Sequence, residues 1–220
     1  MSDEVRVAKR RRITDAVISI VVGTEAQETF TVHETVLSER SGFFKAAISK
    51  RWRPGGDGKI YLPEDDPSAA GAYFEWLYSS KIASKDDRPE PVTKVEQADM
   101  RAEFELLVQM YVFGEKVLDD DFCNAVLSAM LLKMENDDAK CIWYPHRNAI
   151  RILYEGTSQD CPARKMMVKL YADSGYVAWF MEDDVSDSEE FLRDLCMELL
   201  NRRMIAQSMK QWEKRQQWSK

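Results

Sequence analysis

The sequence predicts an α+β fold: a small mixed sheet capped by helices, followed by an all-α tail. Three observations predict it. Residues 16 to 33 hold two consecutive β-patterned segments. Residues 59 to 62 hold a third, after a helix-patterned stretch. From about residue 99 onward, apolar residues recur at spacings of three and four with no further strand pattern. Two strands, a helix, a strand and then helices is the order of an α+β head with a helical tail.

The segment Ala16-Val-Ile-Ser-Ile-Val-Val22 is β-branched and apolar except at Ser19, which predicts a central strand. Gly23 to Gln27 turns the chain. Glu28 to His33 then alternates, with Phe30 and Val32 on one face, as a hairpin partner does. A single helix is predicted next, carrying Val36, Leu37, Phe43, Phe44, Ala47 and Ile48 on its apolar side. Pro54-Gly55-Gly56-Asp57-Gly58 is a turn, and Lys59 to Leu62 a short strand with Ile60 and Leu62 on one face. Pro63 to Pro67 reads as an acidic loop, and Ala69 to Tyr78 as a helix burying Tyr73, Trp76, Leu77 and Tyr78.

Residues 85–99 carry Asp86, Asp87, Pro89, Glu90 and Pro91 and little that is apolar, so they read as a linker. A helix from about Asp99 to Lys116 presents Phe104, Leu107, Val108, Tyr111 and Val112. Asp119 to Asp121 supplies an N-cap for the next helix, in which Phe122, Val126 and Met130 lie four apart. In the tail, Pro145 opens a helix with Ile150, Leu153 and Tyr154. Pro162 opens another with Met166, Met167, Leu170 and Tyr171, ending near Gly175. Ser186-Asp187-Ser188-Glu189 has capping-box spacing before Phe191, Leu195 and Leu199. The organisation is thus a charged arm over residues 1–14, a head over 15–132 and a helical region over 140–220.

Composition narrows the function. A chain of 220 residues, 45% of them hydrophobic, suits one large domain or two small ones sharing an interface. The net charge of −7 argues against a general nucleic-acid binder. The longest apolar run, Ala16 to Val22, falls far short of the about 20 residues needed to span a bilayer. No apolar stretch of signal-peptide length precedes Ile13. Cys123, Cys141, Cys161 and Cys196 are widely spread without a CxxC pair, which reads as reduced thiols in an intracellular protein, cytoplasmic or nuclear. With only His33 and His146 besides, no close ligand pair starts a zinc site, and no metal or cofactor is expected.

Several segments invite a chemical reading and support a plainer one. No motif sets a Ser, Cys or Asp beside His33, so a structural place at a helix start is expected. Cys141 and His146 stand five apart on no recognised turn, which is poor support for a nucleophile and its base. Gly55-Gly56-Asp57-Gly58 lacks the Lys-Ser/Thr of a phosphate loop. The acidic run Glu182 to Glu190 lacks the spacing and glycine of a calcium loop. Lys9, Arg10, Arg11 and Arg12 form a basic cluster of nuclear-localisation type, whose alternative is a solvated terminus. From Arg202 on, six bases face Glu213 alone, with Trp212 and Trp218 interleaved. That segment reads either as a contact for an acidic partner or nucleic acid, or as a helix packing Met204, Ile205, Met209 and Trp212 on the tail.

The ordered motifs resemble a known family. Asp15-Ala-Val-Ile-Ser-Ile-Val-Val-Gly23, Phe30-Thr-Val-His33 and Val36-Leu37-Ser38 with Ser41 and Phe44 resemble the opening of a BTB/POZ domain. Ile60-Tyr-Leu62, Asp65-Asp66-Pro67 and Phe74-Glu-Trp-Leu-Tyr78 continue the pattern, which covers about Thr14 to Ile82. Leu106-Leu107-Val108, Tyr111-Val112, Glu115-Lys116 and Asn124-Ala125-Val126 look like the closing helices of fungal BTB-domain proteins. The resemblance implies a non-enzymatic protein–protein interaction module acting as an adaptor or scaffold, with Phe44, Ile48, Trp52 and Tyr61 as partner-binding candidates. It offers one narrower alternative, a cullin ubiquitin-ligase substrate adaptor. A small hydrolase or transferase is the remaining alternative, and no ordered catalytic constellation supports it.

Three departures from the family pattern matter. Only fourteen residues, seven of them charged, precede Asp15, where domain-swapped members carry a helix and strand. Burying Val5 and Ile13 would contribute about 3 to 6 kcal/mol, against about 14 kcal/mol for ordering the arm, so a swapped dimer is not expected. Glu34 stands where many members carry a base, so two acids, Asp15 and Glu34, would replace an acid–base pair. Ile48-Ser49-Lys50 and Trp52-Arg53-Pro54 replace the hydrophobic-x-Glu element of cullin binders, so cullin binding is expected to be weak or absent. Other proteins, including a second copy held by a non-swapped surface, are the expected partners.

Overall fold

A computed structural model describes residues 16–51, 58–84, 97–135, 145–175, 180 and 188–218. The predicted sheet is present. Strands β1 (Val17–Val22), β2 (Glu28–His33) and β3 (Lys59–Leu62) form one sheet in the order β2-β1-β3. β1 runs antiparallel to β2 and parallel to β3, so the sheet is mixed and β1 is central. Its β-branched residues fit this place, since both long sides of the strand are occupied by neighbours. Ile18, Ile20 and Val22 point into the core with Val32, Ile60 and Leu62.

The helix predicted after the hairpin is two helices, α1 (Glu34–Arg40) and α2 (Gly42–Arg51), broken at Ser41. Ser41 has extended backbone and is fully buried. Its hydroxyl oxygen accepts from the Phe44 N–H at 3.1 Å and its proton goes to the Val117 carbonyl. The serine therefore caps α2 and ties the corner to a distant helix end, which a continuous helical pattern does not reveal.

Helix α3 (Pro67–Ser79) opens with Pro67 at its first position and Asp66 as N-cap, whose carboxylate accepts from Ala69 N–H at 2.9 Å. Pro67 thus belongs to the helix and not to the acidic loop before it. Helix α4 (Gln97–Val117) takes in the last three residues of the predicted linker, 97–99; the remainder of that linker lies outside the described residues. Helix α5 (Asp120–Glu135) is capped by Asp119, which accepts from Phe122 N–H at 3.0 Å, and it buries Phe122, Val126 and Met130 as predicted.

The tail comprises α6 (Arg147–Gly156), α7 (Pro162–Ser174) and α8 (Glu189–Trp218). His146, not Pro145, caps α6, with Nδ1 accepting from Asn148 N–H at 3.5 Å. At the start of α8, Phe191 N–H donates to the Ser188 hydroxyl at 3.4 Å. The cap therefore sits two residues beyond the Ser186 of the predicted box. Phe191 and Leu195 are buried, whereas Leu199 and Met204 are exposed, so Met204 does not pack on the tail.

The core is one cluster running through both regions. Helix α4 is its shared wall, burying Phe104, Leu107, Val108, Met110, Tyr111, Phe113 and Val117. The head packs on one side of it through α2, α3 and α5, and the tail on another through α6. Two glycines permit these approaches. A Cβ at Gly114 would lie 2.7 Å from Cys123 Sγ on α5, and one at Gly156 would lie 2.4 Å from Val112 Cγ1 on α4. Both are well inside van der Waals contact, so neither position admits a side chain without movement.

Candidate interaction surfaces

The sheet has a second face. Residues paired across it alternate sides, so Val17, Ser19 and Val21 of β1 point away from the core. In register with them stand His33, Thr31 and Thr29 of β2, and Lys59 and Tyr61 of β3. Tyr61 is 53% exposed and Val17 49%. Val21, set between Thr29 and Tyr61, is 5% exposed. Among the described residues β2 and β3 are the two sheet edges, each with a row of backbone groups that face no strand. Tyr61 thus presents a rigid apolar ring at the surface of a four-residue edge strand.

The four partner-binding candidates separate in space. Phe44 is wholly buried, in ring contact with Phe43, Tyr73 and Phe74. It is a core residue and drops out of any contact surface, because reaching a partner would require opening the head. Ile48 is half-buried against the core from α2. Tyr61 is exposed on β3. Trp52 lies outside the described residues, as do Asp15, Cys141 and the basic cluster Lys9, Arg10, Arg11 and Arg12. The structure thus does not bring the four together. Val17 and Leu118 are exposed apolar residues that sequence reasoning missed, and Tyr78, expected on the buried face of α3, is 47% exposed instead, because it stands at the end of the helix beside His33. Leu118 carries a positive φ of 57° in the α4–α5 turn, a conformation set by the turn and invisible in residue type.

His33 sits at the start of α1, and its Nδ1 lies 2.9 Å from the Tyr78 hydroxyl, which also accepts from the His33 backbone N–H at 3.1 Å. This joins the hairpin to the end of α3, as the structural reading expects. Beside the α1–α2 corner, Arg40 pairs with Asp121 at 2.8 Å and lies over the Trp76 ring. Beneath it, Tyr73 donates to Asp119 at 3.1 Å. Burial raises the Asp119 carboxyl above its usual range, opposed by the Phe122 N–H bond. Burial also pushes the Tyr73 hydroxyl and the Cys123 thiol up, so both keep their protons near neutrality. A protonated buried thiol is a poor nucleophile.

In the tail, Arg164 is the buried cation. It donates to the Tyr154 and Thr157 carbonyls and to the Thr157 hydroxyl, pairs with Glu190 at 2.6 Å, and lies 4.3 Å from the Tyr154 ring centre. These contacts serve the C-terminal end of α6, the loop that follows it and the start of α8. Among the described residues no group of three or more His, Cys, Asp or Glu side chains is placed to hold a metal. No helix among them is long and apolar enough to cross a membrane.

No curated protein matches the chain. The BTB/POZ domain family model matches residues 7–111, from the charged arm through the hairpin, the broken helical pair, β3 and α3 to Tyr111 in α4. Residues 7–111 thus match the BTB/POZ domain, a family of protein–protein interaction modules, and the mixed three-stranded sheet with its helical cap is consistent with that fold.

Proposed function

We propose that the chain is a non-catalytic adaptor or scaffold, working inside the cell, whose BTB/POZ head and helical tail each offer a surface to other proteins. The functional head is residues 15–132, and the region 140–220 is carried on it as a second platform. The observation that carries this reading is the outer sheet face, where Val17 and Tyr61 stand exposed and where, among the described residues, β2 and β3 are sheet edges. The continuity of the core through α4 supports it, because a tail packed on the head holds its own surface at a fixed distance from the first. The missing hydrophobic-x-Glu element keeps the reading apart from a cullin adaptor.

Proximity labelling in cells with the full chain and with Tyr61→Asp tests it. The expected result is two partner groups, one lost with Tyr61→Asp and one retained through the tail. An unchanged partner set would sink the reading. A cullin N-terminal domain should bind more weakly than about micromolar at physiological salt; tighter binding would replace the scaffold reading with the ligase-adaptor one.

A further inference from the structure

Helix α8 is the longest element, with 30 residues against 13 in α7, its main neighbour. At about 1.5 Å per residue it is about 45 Å long, and α7 about 20 Å, so α7 cannot cover it. The side of α8 turned to α7 and α6 carries Phe191 and Leu195, then the half-buried Glu198 and Arg202. The opposite side carries Met197, Leu200 and Met204, at 56%, 49% and 65% exposure. These are spaced three and four apart and so form one stripe.

Charge is divided along the same helix. Residues 189 to 200 contain Glu189, Glu190, Asp194 and Glu198 against Arg193. Residues 201 to 218 contain Arg202, Arg203, Lys210, Lys214 and Arg215 against Glu213. The apolar stripe lies where the two halves meet. A polyanion laid along α8 would meet the acidic half, and a parallel second helix would set acid on acid and base on base. An antiparallel copy sets each half on its opposite.

We infer that α8 is a self-association surface, on which a second copy of this chain docks its own α8 antiparallel about a two-fold axis near Arg202. That register places Leu200 opposite Met204 of the second copy, and residue 189 opposite 215, a glutamate against an arginine. Glu190 and Arg202 are already engaged with Arg164, and with Glu198 and Asp173, in the same chain, so they do not drive the pairing. Three apolar residues per copy make a small interface, and the dimer is accordingly weak and sensitive to salt. This surface is independent of the head, so it stands or falls separately from the Tyr61 result.

Sedimentation velocity on the full chain over a range of concentrations tests it. The wild-type chain should show a reversible monomer–dimer equilibrium. Leu200→Glu with Met204→Glu, both exposed and without consequence for the monomer's helical circular dichroism, should raise the dimer Kd by about tenfold or more. Glu189→Lys and Arg215→Glu should each weaken the dimer, and the chain carrying both should recover it, which a parallel pair would not do. A wild-type chain that stays monomeric at every concentration overturns the inference. So does a dimer that survives the paired glutamates, or one that the charge swap fails to restore.

Discussion

The two sides of α4 are packed by different means. On the head side Phe44, Tyr73, Phe74, Trp76, Phe113 and Phe122 form a continuous group of rings, with centroids 4.9 to 6.3 Å apart among the contacting pairs. On the tail side the ring group is smaller, Tyr154, Tyr171, Phe180 and Phe191, and directed polar bonds complete it. Arg164 binds the α6–α7 loop, the Tyr154 hydroxyl donates to Asp194 at 3.1 Å, and the Tyr171 hydroxyl donates to the Pro145 carbonyl. The head therefore depends on volume, and the tail on a few groups that must each find a partner. A volume error weakens the head in proportion to the space it leaves. A lost donor exposes the tail to the penalty of buried carbonyls left unpaired.

The largest break in that comparison should come from Phe44→Ala. The ring is fully buried among three others, so its loss should cost about 3 to 5 kcal/mol. Denaturant unfolding would measure this; a loss below about 1 kcal/mol would mean that the ring group collapses around the gap. Arg164→Leu should follow, at about 2 to 4 kcal/mol, because the Tyr154 and Thr157 carbonyls lose their buried donor. Hydrogen exchange should show α6 and α7 opening while α3 and α5 stay protected, and uniform loss of protection across both regions would count against a separable tail.

Gly156→Ala tests the seam itself and should cost about 1 to 3 kcal/mol, since the new methyl falls on Val112. Adding Val112→Ala should recover part of that loss, and strict additivity of the two changes would show that they do not meet. The smallest effect concerns Asp119 in the head. Burial raises its folded pKa above the ordinary carboxyl value of 3.8, so the folded chain holds this proton more firmly than the unfolded chain. The contribution of this group to stability therefore falls as pH rises from near 3.8 through the folded value. Asp119→Asn keeps a capping side chain and removes the titration. Stability measured against pH should differ in slope between the two proteins over that window and run parallel above it; identical slopes throughout would reject the assignment.

Much of this architecture was legible in the chain. β1 declared itself central through its β-branched run, and Phe104, Leu107, Val108 and Tyr111 marked the face of α4 before any packing was known. The family resemblance was legible for the same reason, because a domain core is a set of spacings and the sequence carries spacings directly. The interaction surfaces were much less so. Phe44 and Tyr61 are both aromatic residues in head elements, and nothing in residue type says that one is sealed and the other open.

What the sequence determined by itself is the class and order of the main elements, the cap at Asp119, and the charge divided along α8. These follow from bonds and periodicities within a few residues. The tertiary structure alone decided three things. Ser41 breaks a helix because its hydroxyl finds the Val117 carbonyl 76 positions away. Gly156 is required because α6 meets Val112 at contact distance. Leu200 and Met204 are surface residues because they lie on the side of α8 turned away from α6 and α7. Each depends on which distant element occupies the neighbouring space, and local spacing carries no record of that.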